Sequence, residues 1–186
     1  NDAVMDKQQE YITAVQINND KDLFEYGMRT DVGNAFVYGE LKAVDTVTFD
    51  EIGGEYSFVE KVKEKYTRHT RTITETYVVN GKTKTRTRTE VYWTWDHVKT
   101  WRDSSSTIEF LEEQFPYGTI SLPGESYIDT IRESSYIRYK YYGAPTTCDA
   151  TIYADLRDNT ISDVRTYHNT SIEDAHKIMT SKGELV

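Results

Sequence analysis

The fold of this chain is decided by residues 70–95, which read TRTITETYVVNGKTKTRTRTEVYWTW. Two alternating runs meet at Asn80-Gly81. Asn-Gly between such runs is the strongest short-range hairpin signal, because a type I′ turn needs positive φ at both central residues. The sequence therefore predicts a long β-hairpin in which Val79 lies opposite Lys82. We expect its base to join the main sheet and its tip to project into solvent.

Charged side chains support this register. It places Glu75 opposite Arg86 and Arg71 opposite Glu90, and opposite charges that face each other across a strand pair are stabilising. The other face is a row of threonines that becomes aromatic away from the turn. A flat threonine row also occurs in some ice-binding proteins, but threonine pairing within the sheet explains the same residues.

The remaining chain predicts short strands between helical ends. Alternation predicts strands at residues 34–43, 107–111, 119–122, 135–142, 150–156 and 160–167. Residues 44–49 are a further strand candidate, and residues 127–133 fit either a strand or a single helical turn. Helices are predicted at residues 2–15 and 171–185, and a short helix or turn is predicted at residues 22–28. These elements indicate an α+β fold that is mainly β, an antiparallel sheet or sandwich with a projecting hairpin and helices at both termini, in one domain over residues 1–186.

Composition and charge narrow the class of protein. The 186 residues include 15 Tyr, 6 Phe and 3 Trp, and this aromatic content is too high for a disordered chain. The formal charge of −9 repels phosphate backbones, so nucleic acid is not expected as a partner. No apolar run reaches the ~18 residues of a membrane-spanning helix. The chain has a single cysteine, Cys148, so it cannot form an internal disulfide. This cysteine is predicted to be a buried, unreactive thiol.

Catalytic motifs are absent from the sequence. The four histidines, His69, His97, His168 and His176, do not have the spacing of a metal motif. No nucleophile elbow, phosphate-binding loop or dinucleotide fingerprint occurs. The residues therefore predict no catalytic group, no metal and no cofactor, and they favour a non-enzymatic role.

One basic row is a candidate binding surface. Lys82, Lys84, Arg86 and Arg88 repeat at period two, so they share one face of a strand that continues to Trp93 and Trp95. Basic residues next to aromatic ones suit single-stranded nucleic acid, an acidic cell-wall polymer or lipid headgroups. Charges on an exposed hairpin also prevent edge-to-edge aggregation, which is the plainer explanation.

Several stretches resemble uncharacterised membrane-anchored proteins of Gram-positive bacteria. They are GGEYSFVEKVKEKYTRHTRT at residues 53–72, TEVYWTW at 89–95, YIDTIRES at 127–134 and DNTI at 158–161. The chain is also similar, more faintly, to GIDE-type domains. The first resemblance implies an extracytoplasmic β-rich domain, attached to the cell membrane through segments absent from this chain, with the terminal helices leading toward those segments.

These observations favour a non-enzymatic extracytoplasmic interaction or sensing domain of a bacterial membrane protein. Its partner would be another membrane or cell-envelope protein, or an anionic envelope polymer. The alternative is a small-ligand or carbohydrate-binding protein, or a hydrolase, with an aromatic site around Trp93, Trp95 and Tyr139. A soluble intracellular or phage protein is the third possibility.

Overall fold

The computed structural model describes residues 9–184, with side chains described for residues 9–181. The chain is mainly β, with 61% strand and 14% helix, which confirms the predicted class. The strands are β1 (Val15–Asn18), β2 (Gly33–Ala43), β3 (Phe58–Val79), β4 (Lys82–Ser104), β5 (Thr107–Phe110), β6 (Glu113–Pro116), β7 (Ser126–Arg132), β8 (Ile137–Ala144), β9 (Thr147–Arg157) and β10 (Thr160–His168). The helical segments are residues 9–13, α1 (Lys21–Arg29) and α2 (Ile172–Glu184).

The chain divides into two compact units. Unit 1 comprises the described parts of Asn1–Val59, Asp103–Ser126 and Gly143–Val186, and unit 2 comprises Glu60–Arg102 and Tyr127–Tyr142. Each unit has its own sheet. The prediction of a single domain over the whole chain stays a prediction.

Unit 1 is a six-stranded sheet with a helix against each face. Its strand order is β10-β9-β2-β5-β6, and β1 pairs with β2 in parallel. Because β2 is central, its side chains reach two apolar clusters. Phe24 and Met28 of α1 belong to the cluster that contains Ile152, whereas Met179 of α2 belongs to the cluster that contains Phe36. These side chains form the core of the unit.

Local capping explains where the helices begin. The Asp20 carboxylate accepts a hydrogen bond of 3.1 Å from the Leu23 backbone N–H at the start of α1. The Ser171 hydroxyl accepts one of 3.2 Å from the Asp174 N–H, as predicted for the C-terminal helix.

Unit 2 is a four-stranded sheet of order β4-β3-β8-β7 that contains the long hairpin. Asn80 and Gly81 have φ of 52° and 76°, as a type I′ turn requires. The predicted register is confirmed by ion pairs of 3.0 Å between Arg86 and Glu75 and 3.1 Å between Arg71 and Glu90.

The base of the hairpin differs from the prediction. It was expected to join the main sheet, but it pairs with β8 in the separate sheet of unit 2. The Tyr66 N–H donates to the Tyr136 carbonyl at 2.7 Å, just before β8 begins. Beyond this point β3 and β4 form a two-stranded segment, residues 67–95, which we call the ribbon.

Unit 2 has almost no buried side chains. Among its described residues, Tyr141 alone is buried. Both faces of the sheet are therefore largely accessible, and cross-strand ion pairs, threonines and ring contacts hold it together in place of an apolar core.

Two strand predictions and one turn prediction need correction. Residues 119–122 do not form a strand, because Gly118 takes a φ of 97° and the Thr119 N–H turns back to the Pro116 carbonyl at 3.1 Å. Phe115-Pro116, where the proline by itself predicts a turn, is instead the end of β6. Residues 44–49 make only an isolated bridge between Val47 and Tyr56. Pairing of β6 with β5 overrides the turn signal at Phe115-Pro116.

The terminal helices are confirmed where the structure describes them. Residues 9–13 are helical, but Val15 begins β1 instead of ending the helix, and the predicted helical residues 2–8 lie outside the described residues. Leu185, at the predicted end of the C-terminal helix, also lies outside them. Within residues 9–184, neither the length nor the apolar content of any helix suffices to cross a bilayer.

Candidate functional site

Charge is divided unequally between the two units. Unit 2 contains 14 Lys and Arg against 7 Asp and Glu, a formal charge of +7, whereas unit 1 contains 8 against 24, a formal charge of −16. Together these give the −9 of the whole chain. An anionic partner is therefore attracted to one unit and repelled by the other.

The basic row of β4 is not uniform. Arg88 donates from Nε to Glu75 Oε1 at 2.9 Å, and Arg86 donates from Nε to Glu75 Oε2 at 3.1 Å. Lys82 and Lys84, in contrast, form no ion pair with any described residue. Two of the four predicted contact residues are thus held by a carboxylate, while the two lysines nearest the turn are uncompensated.

Arginine partners lower the pKa of two carboxylates of the ribbon. Hydrogen bonds from Arg88 and then Arg86 lower the pKa of Glu75, and a hydrogen bond from Arg71 lowers the pKa of Glu90. Both groups therefore stay ionised at neutral pH and balance part of the positive charge.

Trp93 and Trp95 belong to one continuous cluster on unit 2. The guanidinium carbon of Arg138 lies 4.0 Å from the centroid of the Trp95 ring, and that of Arg132 lies 5.5 Å from it. Tyr66 connects the two tryptophans, with ring centroids 5.0 Å from Trp95 and 5.4 Å from Trp93. We call these residues, with Tyr136, the Trp95 cluster.

The outer rings of this cluster are open. The Trp93 and Tyr136 centroids are 6.0 Å apart, and the two residues are 43% and 53% exposed. A stacked row of half-exposed rings next to arginines can contact flat or extended ligands.

A second group, the Trp101 cluster, consists of Lys61, Lys63, Lys99, Trp101 and Tyr139. The Lys61 ammonium lies 4.9 Å from the Tyr139 centroid and 5.2 Å from the Trp101 centroid. Lys99 lies 4.8 Å from the Trp101 centroid, so the rings hold several cations in a small area.

The structure does not bring Tyr139 to Trp93 and Trp95, as the alternative site required. Arg138 contacts Trp95 and the next residue, Tyr139, contacts Trp101. The sequence prediction missed this division, since it depends on how β8 pairs with β3.

The histidines are not gathered into a metal site. Within the described part of the chain, no three His, Cys, Asp or Glu side chains are grouped so that they could hold an ion. His69 lies 2.6 Å from an Asp96 oxygen and stacks on Tyr92, with centroids 5.2 Å apart. A hydrogen bond from the Thr67 hydroxyl is the main cause that lowers the pKa of Asp96 to about 2.

Cys148 is buried, as predicted. Burial raises the pKa of its thiol, and its Sγ donates to the Asp149 carbonyl at 3.3 Å. The thiol is therefore held in the unreactive protonated form.

Unit 1 contains an open groove of about 810 Å³ beside the start of α2. Most of its lining residues carry polar groups, among them Tyr38, Asp149, Asn169, His176 and Lys177, while their carbon atoms supply the larger part of the exposed lining. Lys177 pairs with Glu173 at 3.2 Å. This groove could accept a small polar ligand, and its residues were not singled out together from the sequence.

Comparison of the chain with protein-family models, with curated proteins and with solved structures found no match.

Proposed function

We propose that this chain is a non-enzymatic extracytoplasmic interaction domain of a bacterial membrane protein, and that unit 2 is its contact surface for an anionic partner in the cell envelope. The observation that carries the proposal is the charge of +7 on a sheet whose faces are both accessible, in a chain whose remainder carries −16.

The available cations support an anionic partner. Lys82 and Lys84 at the turn, and Lys63 and Lys99 in the Trp101 cluster, have no carboxylate partner among the described residues. Cations that are already neutralised add little to long-range attraction, whereas these four contribute their full charge.

The aromatic residues support a contact that involves more than charge. Exposed Trp93 and Tyr136 offer apolar surface next to Arg132 and Arg138. Such a surface fits a polymer that alternates apolar rings or chains with anionic groups. The cell location rests on the resemblance to membrane-anchored proteins of Gram-positive bacteria.

The direct test is binding to soluble poly(glycerol phosphate), with neutral dextran as the negative probe. We expect binding that weakens strongly between about 0.1 M and about 1 M salt, since the Debye length falls from about 10 Å to about 3 Å. Lys63→Gln/Lys99→Gln and Lys82→Gln/Lys84→Gln should each weaken it.

The matched control is Arg29→Gln/Lys42→Gln, which removes the same charge from two exposed cations of unit 1. Equal losses in the control and in the unit 2 variants would show that only net charge matters and would overturn the proposal. Equal binding of a single-stranded oligonucleotide would widen the partner to any polyanion and contradict the prediction that nucleic acid is not bound.

A second function is favoured by the groove in unit 1, which would bind a small polar ligand such as a sugar. A thermal-shift panel of cell-wall sugars, nucleotides and metals tests it. A ligand at about 100 times its Kd raises stability by about 2.7 kcal/mol, and His176→Ala should remove that increase if the groove is the site. An increase that survives His176→Ala would place the ligand elsewhere.

A further inference from the structure

The turn of the hairpin carries exposed apolar side chains on both sides. Tyr77, Val78 and Val79 follow one another and are 39%, 69% and 39% exposed. Because strand side chains alternate, Val78 points to one face of the ribbon while its two neighbours point to the other. A surface that docks flat against a partner needs apolar residues on one face only.

Apolar residues on both faces of a tip suit an apolar environment that surrounds the tip. The headgroup and acyl boundary of a bilayer is such an environment, and tyrosine is well suited to it because it is amphipathic. Two adjacent exposed valines at a turn are, in contrast, unfavourable in water and increase the risk of aggregation.

Cations lie beside these apolar residues. Lys82 and Lys84 follow the turn without an ion-pair partner among the described residues, and the Arg86 guanidinium lies 5.6 Å from the Tyr77 centroid. Lysines at this position reach anionic lipid headgroups while the apolar side chains enter the boundary. The charge of the tip is thus complementary to an anionic membrane surface.

The length of the ribbon allows this contact. Between Thr67 and Val79 it extends about 40 Å at the usual rise of a strand. Its depth is limited, because the unpaired backbone groups at the ribbon edges cannot enter the hydrocarbon core. An insertion of about 5–10 Å satisfies both conditions.

We propose that the tip, residues 77–84, inserts into the headgroup boundary of a bilayer that contains anionic lipid. This inference rests on the proposed function, since it identifies the anionic partner of unit 2 as a membrane surface, and it adds an apolar contact that a soluble polyanion does not need.

Vesicle flotation of the whole chain tests the inference. The probes are equimolar phosphatidylglycerol and phosphatidylcholine vesicles, phosphatidylcholine vesicles, and soluble poly(glycerol phosphate). We expect binding to the anionic vesicles, weak binding to phosphatidylcholine, and part of the vesicle binding to survive at about 1 M salt, where charge is screened.

Two variants separate the apolar contribution from the charge contribution. Val78→Ser/Val79→Ser should weaken vesicle binding about tenfold or more and leave poly(glycerol phosphate) binding unchanged. Lys82→Gln/Lys84→Gln should weaken vesicle binding about thirtyfold at low salt. The control, Val91→Ser/Val98→Ser, removes two valines of β4 away from the turn, 46% and 50% exposed, and should bind as the wild type does.

An environment-sensitive fluorophore on Val78→Cys, in a Cys148→Ser background, should shift to the blue on anionic vesicles. Unchanged vesicle binding by Val78→Ser/Val79→Ser, or no spectral shift, overturns the inference. Binding to poly(glycerol phosphate) without binding to vesicles overturns it while the proposed function stands. Binding to neither probe contradicts both.

Discussion

Glu75 and Arg88 are joined across the hairpin by a hydrogen bond of 2.9 Å, and the second oxygen of the same carboxylate accepts from Arg86. One acidic residue of β3 therefore holds two of the four cations of the basic row. Part of the positive charge of the hairpin is thus neutralised by Glu75. The charge of Lys82 and Lys84, the lysines nearest the turn, is not.

Glu75→Gln should release Arg86 and Arg88 and strengthen binding to poly(glycerol phosphate) several-fold at about 0.1 M salt. The gain should vanish at about 1 M salt. The control is Glu112→Gln, which breaks the 3.0 Å ion pair with Lys21 in unit 1 and adds the same charge. Affinities measured side by side that rise equally in both variants would contradict a local role of the basic row.

The Asp45 carboxylate ties the loop before β5 to unit 1. It accepts hydrogen bonds of 2.7 Å from the hydroxyls of Ser106 and Ser105 and of 2.8 Å from the Ser106 N–H. These bonds, the one from the Ser106 hydroxyl first, hold the pKa of Asp45 well below its usual value of 3.8.

Asp45→Asn should lower the free energy of unfolding, and the size of this loss should depend on pH. The folded-state pKa is depressed, so the stabilisation is fully present above about pH 4 and is lost as pH falls toward that pKa. The difference in unfolding free energy between wild type and Asp45→Asn should stay constant from about pH 8 to about pH 5 and shrink below about pH 4. Asp50→Asn, at an exposed carboxylate nearby, is the control. A difference that grows on acidification would contradict the account.

Gly81→Ala should open the hairpin locally. A Cβ at this position would meet nothing within 4 Å, so the cost comes from its φ of 76° and should be about 1–2 kcal/mol. Amide hydrogen exchange should accelerate in the ribbon and stay unchanged in unit 1. Gly124→Ala also adds a Cβ to open space, without a positive φ, and should have no such effect. Unchanged exchange in Gly81→Ala would argue against the type I′ turn.

Phe24→Ala should destabilise the chain by about 3–5 kcal/mol, because a large buried ring is removed from the core of unit 1. The ring is fully buried and meets Phe110 edge-on, with centroids 5.5 Å apart. Leu23→Ala, one residue earlier and 40% exposed, should change stability by less than about 0.5 kcal/mol. Denaturant unfolding of both variants measures the difference, and equal midpoints would contradict the packing of α1.

Much of the secondary structure could be predicted from local sequence. Asn80-Gly81 predicted the turn, and the charges of Glu75 and Arg86 predicted the register, because both signals act between near neighbours in the hairpin. Strands β1 and β6 were missed, although β5, which is equally short, was predicted. The separation of the hairpin from the main sheet could not be predicted, because it depends on the pairing of β3 with β8.

The candidate site was predicted only in part. The cations of β4 were visible in the sequence as a period-two row. The neutralisation of Arg86 and Arg88 by Glu75 could not be predicted, because it depends on the side-chain geometry that places one carboxylate between two arginines. The Trp101 cluster was missed because Lys61, Trp101 and Tyr139 come from three strands. The basic region between Lys61 and Arg102 is visible in the sequence, whereas its grouping with residues 127–142 in one unit is not.

The central claim is that unit 2 contacts the anionic partner, and mapping that contact tests it most directly. Backbone amide shifts of the isotopically labelled chain would be followed by NMR during titration with poly(glycerol phosphate). We predict shifts concentrated in the ribbon and in strands β3, β4 and β8, around Lys63, Lys84 and Lys99. Shifts concentrated in unit 1, around the groove beside α2, would contradict it.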